Sequence, residues 1–389
     1  MAGSARPRLH FLDGLRGLAC VYVLLFHEAT QKIEVPGHFS PALGPLRAFL
    51  NEGRHSVVFF IVLSGFSLML PVSRAGAGEL VGGFWSYIKR RAKRIMPPYY
   101  TALLGSLLLI VAYNRFAAHN SGEKTLDAAL SAGSILSHVA LIHNLNFDWA
   151  YRINGPMWSV ATEWQIYFLF ALLLLPLRRK VGMPVTIAIA WLLFGAPSVL
   201  LSNDYNLYWA SPWFVGSFAL GMYGADLGFA PATTPAARTR LPWRWLTLGS
   251  LAWVVAIAVI APSWPYLVVD FGISVFAFSW IGWCLEVTQS GAAKGLVLRF
   301  LESRALVYLG GFSYSLYLVQ HPLLRFSEKA LNKLHVGHDA NLLLHLFLVT
   351  PVIILVAWVF AELFERPFTT GGLLWPALQR RFRRSEPQA

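Results

Sequence analysis

About ten apolar segments, each long enough to cross a bilayer as a helix, follow one another along this chain of 389 residues. The hydrocarbon core of a bilayer requires about 20 consecutive apolar residues in helical form. The segments lie at residues 14–33, 55–72, 98–114, 157–177, 183–201, 208–228, 246–262, 266–286, 305–325 and 342–364. The sequence therefore predicts an all-α fold, a polytopic transmembrane helix bundle of about ten helices.

The composition agrees with a membrane protein and argues against two other classes. Hydrophobic residues make up 56% of the chain and charged residues only 13%, whereas a soluble domain usually carries about a quarter charged residues. The net charge of +13 does not indicate nucleic-acid binding, because the Lys and Arg residues lie between apolar segments. Both cysteines, Cys20 and Cys284, lie inside apolar segments, so no disulfide framework or thiolate metal site is expected.

The N-terminal region resembles a secretory signal peptide only superficially. Arg6 and Arg8 precede an apolar run at residues 18–26, but Asp13 and Arg16 interrupt the approach to that run. No small-residue cleavage site follows it. We therefore expect a first membrane helix that is retained.

Residues 128–147 decide the orientation of the bundle. They are moderately apolar but contain His138 and His143. If they form an outer-surface or re-entrant helix, both termini are cytoplasmic, with 22 of the 32 Lys and Arg residues inside and nine outside. If they cross the bilayer, every later loop changes side and this asymmetry is lost. Because cytoplasmic loops carry the excess of basic residues, we predict ten spans and cytoplasmic termini.

The first helix contains an Arg and a His on one face. Arg16 and His27 are eleven residues apart, which is close to three helical turns and about 16 Å along the axis. A charged side chain within a membrane usually has a function. The alternatives are that Arg16 reaches the cytoplasmic headgroups, paired with Asp13, and that His27 only bonds a neighbouring helix.

A basic cluster follows the second helix, with the sequence KRRAKRIMP at residues 89–97. Arg90, Arg91 and Arg94 suit a phosphate clamp, because guanidinium groups bind phosphate oxygens in bidentate fashion. The alternative is a topology signal or an anchor for anionic lipid headgroups.

Glu163 lies about two turns inside the outer end of the fourth helix, at a depth similar to that of His27. An ionisable residue at this depth is a candidate for function; the alternative is a structural pair with a membrane Arg or a Trp indole. In the ninth helix, Ser313 and Ser315 suit contacts between helices, and His321 suits an interfacial position. The sequence has no His-Glu-x-x-His zinc helix, phosphate-binding Gly-rich loop or nucleophile elbow, so no metal is expected.

Together these motifs resemble the acyltransferase-3 family of bacterial integral-membrane acyltransferases. The similar stretches follow the family's order over essentially the whole chain: LDGLRG at 12–17 with His27, FFIVLSGF at 59–66, RRAKRIMPPY at 90–99, WSVATE at 158–163, SYSLYLVQH at 313–321 and ERPF at 365–368.

The resemblance implies transfer of an acyl group, often acetyl, from acyl-coenzyme A to a hydroxyl of a carbohydrate or glycolipid. Some members of the family acylate macrolides instead. It also implies essential roles for Arg16 and His27, a link between the basic cluster and the donor, and a bacterial inner-membrane location. We expect a membrane-embedded acyltransferase domain at residues 1–368 and a basic cytoplasmic tail at 369–389, without the C-terminal hydrolase-like domain of larger members.

The expected mechanism uses both faces of the membrane. Coenzyme A docks from the cytoplasm, where Arg90, Arg91 and Arg94 hold its phosphates and Arg16 guides the entrance. His27 acts as general base on an acceptor hydroxyl that arrives from the outer side, and Glu163 orients His27. The expected partners are acyl-coenzyme A, a carbohydrate or glycolipid acceptor and membrane lipid.

Two other functions fit the same residues. In a transporter or flippase of a lipid-linked sugar, Arg16, His27 and Glu163 line a pathway, although no internal repeat favours the usual transporter architecture. In a non-catalytic partner of a polysaccharide synthase, loss of His27 leaves glycan modification intact. The sequence does not identify the oxyanion stabiliser, nor does it separate direct transfer from an acyl-enzyme intermediate.

Overall fold

The computed structural model describes residues 9–30, 38–76, 78–120, 130–201, 207–231, 239–260 and 264–369. Within these ranges the chain forms helices and no strand, which confirms the predicted all-α class. The predicted basic tail beyond Thr369 and the N-terminal Arg6 and Arg8 lie outside the described residues.

The helices are numbered here in chain order. They are α1 His10–Ala29, α2 Gly44–Asn51, α3 Ser56–Ala75, α4 Gly83–Asn120, α5 Ala132–Val139, α6 Phe147–Ala150, α7 Met157–Leu169, α8 Leu175–Val181, α9 Met183–Gly195, α10 Pro197–Leu200, α11 Phe214–Phe229, α12 Trp243–Ile260, α13 Tyr266–Gln289, α14 Leu296–Leu301, α15 Arg304–Gly310, α16 Ser313–Asn332, α17 His338–Leu344, α18 Thr350–Phe360 and α19 Arg366–Thr369. Three π-helical turns join α7 to α8, α17 to α18 and α18 to α19; they lie at Phe170–Leu174, His345–Val349 and Ala361–Glu365.

Each of the ten predicted apolar segments corresponds to one of these helices or to a run of them. Among the described residues, seven helical runs are long and apolar enough to cross a membrane: Pro41–Ala75, Gly83–Arg115, Met157–Val181, Met183–Leu200, Trp243–Ile260, Tyr266–Gln289 and His338–Thr369. The chain is therefore a membrane protein with a bundle of apolar helices.

Helices α1, α11 and α16 are not among these seven runs. Helix α11 has only 16 residues. Helices α1 and α16 are long enough, with 20 residues each, but they contain charged side chains such as Arg16 and Arg325. Both of these arginines line cavities. The polar residues that build the site thus lower the apolarity of the helices that present them.

The described part of segment 128–147 does not form a membrane-crossing helix. Helix α5 has eight residues and is about 12 Å long, compared with a hydrocarbon core of about 30 Å. The hydroxyl of Tyr99 donates to the carbonyl of His138, and that of Tyr100 to the carbonyl of Val139, both at 2.9 Å. These bonds fix α5 against α4, as expected for a segment that does not cross the bilayer.

Glycines allow two pairs of helices to pack with their backbones in close contact. A Cβ atom on Gly65 of α3 would lie 2.1 Å from the carbonyl oxygen of Phe218 on α11, and one on Gly221 would lie 2.0 Å from that of Val62. Small residues permit such close approach between helices in membranes. Helix α1 approaches α15 in the same way, since a Cβ on Gly17 would lie 2.3 Å from the carbonyl oxygen of Leu306. These contacts fix α1, which presents Arg16 and His27, and α3, which presents Ser64 and Ser67, to the cavities described below.

Candidate active site

The candidate residues of the described chain line two cavities inside the bundle. The smaller one, called the arginine cavity here, has a volume of about 110 Å³. Its polar lining comes from five helices and comprises Arg16, Ser64, Ser67, Arg91, Arg94, Ser159, Glu163, Tyr167, Ser313, Tyr314 and Tyr317. The structure therefore brings three of the predicted arginines and Glu163 to one place, although they are far apart in the sequence.

Arg16 is held in this cavity by two hydrogen bonds. Its guanidinium donates to the carboxylate of Asp13, one turn earlier on α1, at 3.0 Å, and to Ser67 Oγ of α3 at 2.5 Å. The pairing with Asp13 that the sequence suggested is thus present, but Arg16 also faces the cavity interior. Asp13 partly offsets its charge and Ser67 fixes its direction.

The basic cluster divides into two faces of α4. Arg91 and Arg94 are three residues apart, which places them on one face of the helix, and both line the arginine cavity. Arg90 is exposed and donates to Ser86 Oγ at 2.6 Å and to the carbonyl of Val81 at 2.8 Å. Arg90 therefore stabilises the start of α4 and, unlike Arg91 and Arg94, does not line the arginine cavity; its contact with the donor stays a prediction.

Glu163 accepts a hydrogen bond of 2.7 Å from the hydroxyl of Tyr167, one turn later on α7. The Tyr167 hydroxyl also lies 3.3 Å from Ser64 Oγ of α3. The carboxylate of Glu163 interacts electrostatically with Arg16. Glu163 thus belongs to the arginine cavity and balances part of its positive charge.

The larger cavity, called the histidine cavity, has a volume of about 1240 Å³. His27 from the last turn of α1 and His321 from α16 both line it, with their ring centroids 6.0 Å apart in an edge-to-face arrangement. Much of the remaining wall is aromatic and comprises Phe26, Phe147, Tyr151, Trp158, Tyr208, Trp209 and Tyr266.

A buried carboxylate organises one side of the histidine cavity. Asp270 is fully buried and accepts hydrogen bonds from Trp213 Nε1 at 3.0 Å and from Arg54 at 3.2 Å. The Nδ1 atom of His55 also lies 3.2 Å from Asp270. The guanidinium of Arg54 lies 3.9 Å from the centroid of the Tyr266 ring, a cation–π distance. Arg54 is thereby fixed as part of the cavity wall.

The end of the segment between α5 and α6 and the start of α6 contribute another side of this cavity through Leu145, Asn146 and Phe147. Behind it, the rings of His138 and His143 stack with centroids 3.8 Å apart. Burial lowers the pKa of His138 to about 4 and that of His143 to about 3. Both rings are therefore neutral at pH 7, so the stack supports the wall without adding charge.

The two cavities follow one another along the same helices. On α1, α3, α7 and α16, residues at one end line the arginine cavity and residues at the other end line the histidine cavity. Val57 and Tyr317 line both cavities. The Tyr317 hydroxyl lies 2.7 Å from Ser159 Oγ. Tyr317 therefore marks the junction of the two spaces.

The structure does not place His27 and Glu163 in one cavity, in contrast to the prediction that Glu163 orients His27. Helix α1 was expected at residues 14–33 but ends at Ala29, so His27 lies in its last turn. Glu163 lies two turns inside α7, beyond the junction. His321, which the sequence analysis interpreted as an ordinary interfacial residue, is the ionisable group whose ring faces that of His27.

Sequence reasoning assigned His321 only an interfacial position and Tyr317 no function, although a signal was present. These residues are four apart on α16 and therefore share a face.

Among the described residues, no group of three or more His, Cys, Asp or Glu side chains is arranged to hold a metal ion.

The chain is similar to known acyltransferases. Residues 9–362 match a family model described as an acyltransferase domain, the acyltransferase-3 model. YrhL of Bacillus subtilis (strain 168), a candidate peptidoglycan O-acetyltransferase, is 23% identical over 388 residues, which cover 93% of this chain and 55% of YrhL. The acyltransferase MdmB of Streptomyces mycarofaciens is 25% identical over 342 residues, which cover 83% of this chain and 80% of MdmB.

The chain thus spans about half the length of YrhL and four fifths of that of MdmB. No solved structure gives a significant match. The family model, by contrast, extends over both cavities and nearly all of the described helices. The chain belongs to the acyltransferase-3 family, as its motifs predict.

Proposed function

We propose that the protein is a membrane O-acyltransferase that moves an acyl group, such as acetyl, from acyl-coenzyme A to a hydroxyl of a carbohydrate or glycoconjugate. Family membership and the names of the relatives YrhL and MdmB support this reaction class. The observation that carries the proposal is the meeting of two chemically different cavities at Tyr317. A basic cavity suits a phosphorylated donor, and an aromatic cavity with imidazoles suits a hydroxylated acceptor.

The arginine cavity would bind the donor. Arg91 and Arg94 present guanidinium groups from one face of α4, and Arg94 is exposed at the surface. Guanidinium groups hold phosphate oxygens through bidentate, charge-assisted hydrogen bonds. The nucleotide phosphates of coenzyme A then remain near the surface while the acyl thioester extends past Arg16 toward the junction.

The histidine cavity would bind the acceptor, and its size and aromatic wall accommodate a sugar ring. His27 acts as general base: it takes the hydroxyl proton while the hydroxyl oxygen attacks the thioester carbonyl carbon. The carbon–sulfur bond breaks, and the imidazolium returns the proton to the coenzyme A thiolate. The products are an ester and free coenzyme A, so atoms and charge balance. Because the two cavities meet, we propose direct transfer between the substrates.

His321 replaces Glu163 as the partner we propose for His27. The two rings meet edge to face inside one cavity. A second imidazole fixes the orientation of the first and excludes water from one side of it. Glu163 instead keeps the guanidinium groups of the arginine cavity separated and oriented.

We propose that the arginine cavity opens to the cytoplasm and the histidine cavity to the outer face of a bacterial inner membrane. The partition of basic residues supports this orientation, since the positive-inside rule places the 89–94 cluster in the cytoplasm. Acyl-coenzyme A is made in that compartment. The same orientation places both termini in the cytoplasm.

A transporter of a lipid-linked sugar is the second candidate, because the cavities follow one another along the bundle. The two functions differ in whether acyl-coenzyme A is consumed. The test is purified protein in lipid nanodiscs with acetyl-coenzyme A and a mixture of cell-surface glycans, with free coenzyme A thiol measured over time. Thiol release that requires both the glycans and His27 supports acyl transfer.

No thiol release, together with unchanged acylation of surface glycans in deletion cells by mass spectrometry, contradicts acyl transfer. Loss of glycan acylation in deletion cells but normal acylation with His27→Ala would instead indicate a non-catalytic partner. The masses of the modified glycans in wild-type cells identify the acceptor and the acyl chain.

A further inference from the structure

We propose that the hydroxyl of Tyr317 stabilises the oxyanion that forms on the thioester carbonyl during transfer, with Ser159 as its positioning residue. This inference rests on the proposed acyl transfer. An acyl-transfer site requires a hydrogen-bond donor aimed at the developing oxyanion, and the motifs of the sequence do not assign one.

The location of Tyr317 in the bundle supports this role. The donor and the acceptor come from different cavities, so the reacting carbonyl must lie where these cavities meet. Two side chains line both cavities, Val57 and Tyr317. Val57 has no polar group. Tyr317 is therefore the residue of the shared lining that can donate a hydrogen bond at the junction.

The position of Tyr317 relative to the other functional groups also supports this role. It precedes His321 by one turn of α16, and the His321 ring faces that of His27. Its partner Ser159 precedes Glu163 by one turn of α7. The Tyr317–Ser159 pair thus lies between the imidazoles and the charged groups of the arginine cavity.

The hydroxyl protons of Tyr317 and Ser159 can be arranged in two ways. Ser159 has one hydroxyl proton, and its Oγ lies 3.1 Å from the carbonyl of Pro156 and 2.7 Å from the Tyr317 hydroxyl. When Ser159 donates to Pro156, Tyr317 donates to Ser159 and its hydroxyl is held in place. When a thioester carbonyl arrives, the Ser159 proton turns to the Tyr317 oxygen and the phenolic proton is free for the carbonyl.

Electrons and protons also balance in the chemical step. As the acceptor oxygen bonds to the carbonyl carbon, the electron pair of the C=O double bond moves to oxygen, where Tyr317 donates a hydrogen bond and keeps its proton. The pair returns when the carbon–sulfur bond breaks. Tyr317 is thus needed more in the transition state than in the bound substrate, which is the condition for raising kcat.

The two other phenolic hydroxyls of the arginine cavity are directed elsewhere. Tyr314 donates to the carbonyl of Ile95 at 3.2 Å, and Tyr167 donates to Glu163 at 2.7 Å. Neither residue lines the histidine cavity. Tyr308→Phe is the control: it removes a phenolic hydroxyl from α15 that lies outside both cavities and accepts a hydrogen bond from Trp358 Nε1.

The experiment compares Tyr317→Phe, Tyr308→Phe and wild type in nanodiscs with acetyl-coenzyme A and the mixture of cell-surface glycans. Loss of one oxyanion donor lowers kcat by about 10²- to 10³-fold, so we expect this loss for Tyr317→Phe with unchanged KM for both substrates. Tyr308→Phe keeps the wild-type kcat. Ser159→Ala keeps the phenol of Tyr317 but removes the hydroxyl that orients it. Its kcat therefore falls less than that of Tyr317→Phe.

Binding of a donor analogue separates catalysis from folding. In the thioether S-ethyl-coenzyme A a methylene replaces the carbonyl, so Tyr317→Phe and wild type should bind it equally by calorimetry. A structural role for Tyr317 would weaken this binding and lower thermal stability as well. A wild-type kcat for Tyr317→Phe, or a loss confined to KM, overturns the inference. If the wild-type protein releases no coenzyme A, the proposed function itself fails.

Discussion

At the scale of single residues, we propose different side chains for catalysis and for donor binding. Its ring lines the histidine cavity, whereas the groups proposed to hold the donor phosphates line the arginine cavity. A residue at the reacting atoms and a residue at the phosphates should therefore fail in different ways. One should lower kcat, and the other should weaken donor binding.

His27→Ala should lower kcat by about two to four orders of magnitude, the range for a lost general base. Donor affinity should stay at the wild-type value, because the phosphate contacts are in the other cavity. Initial rates and calorimetry with S-ethyl-coenzyme A measure the two quantities. His38→Ala, at an exposed His outside both cavities, is the control. A His27→Ala enzyme with wild-type kcat would remove this mechanism.

Arg94→Ala should weaken donor binding, whereas Arg90→Ala should not. Arg94 lines the arginine cavity, while Arg90 bonds to Ser86 and to the Val81 carbonyl outside it. The effect of Arg94→Ala should shrink as salt is raised, because phosphate contacts near solvent are screened. Calorimetric titration at low and high salt tests this prediction. Equal affinities for both variants and wild type would leave the cluster as a topology signal.

At the scale of helices, the site depends on backbones that touch. Helices α3 and α11 meet through Gly65 and Gly221, and α3 presents Ser64 and Ser67 to the arginine cavity. Protein interiors are close-packed, so an added methyl group must displace a neighbour. A change at this contact should move the polar residues of α3 without touching them.

Gly65→Ala should destabilise the protein and lower activity. The new Cβ would lie 2.1 Å from the Phe218 carbonyl oxygen, and overpacking of this kind costs about 1–3 kcal/mol. Gly105→Ala is the matched control on α4, where a Cβ has no neighbour within 4 Å. It should stabilise its helix by about 0.5–1 kcal/mol. Thermal unfolding in one detergent compares the two; equal melting temperatures would contradict this account of the contact.

At the scale of the whole molecule, orientation in the membrane decides which substrate reaches which cavity. The arginine cavity can receive a cytoplasmic donor only if the 89–94 cluster faces the cytoplasm. Lys180 and Arg240 are exposed residues on predicted cytoplasmic segments, and Asp148 is exposed on the predicted outer side. Both native cysteines are buried, so introduced cysteines can be labelled selectively.

Cysteines introduced at Lys180 and Arg240 should resist a membrane-impermeant maleimide in intact cells and react after permeabilisation. A cysteine at Asp148 should react in intact cells. The positive-inside rule is the physical reason. Labelling of position 180 or 240 from outside would reverse the orientation and with it the proposed access of the donor. The unmodified chain is the control for background reaction.

The sequence alone determined the class of fold and much of the arginine cavity. Apolar segments of membrane-spanning length must become helices, because lipid offers no partner to backbone polar groups. Arg16 could be recognised because a charge inside an apolar helix is costly and usually functional. Arg91 and Arg94 could be recognised because the basic cluster suits phosphate binding and resembles a motif of the acyltransferase-3 family. That these three arginines line one cavity is a result of how the helices pack.

The tertiary structure decided which residues meet in each cavity. A depth estimate placed His27 beside Glu163, but it cannot fix where a helix ends or which way its neighbours turn. In the packed bundle α1 ends at Ala29, His27 faces His321, and Glu163 lies with the arginines. The junction at Tyr317 depends on four helices packed at once. Such contacts between distant residues arise from packing, which the spacing of residues along one helix does not specify.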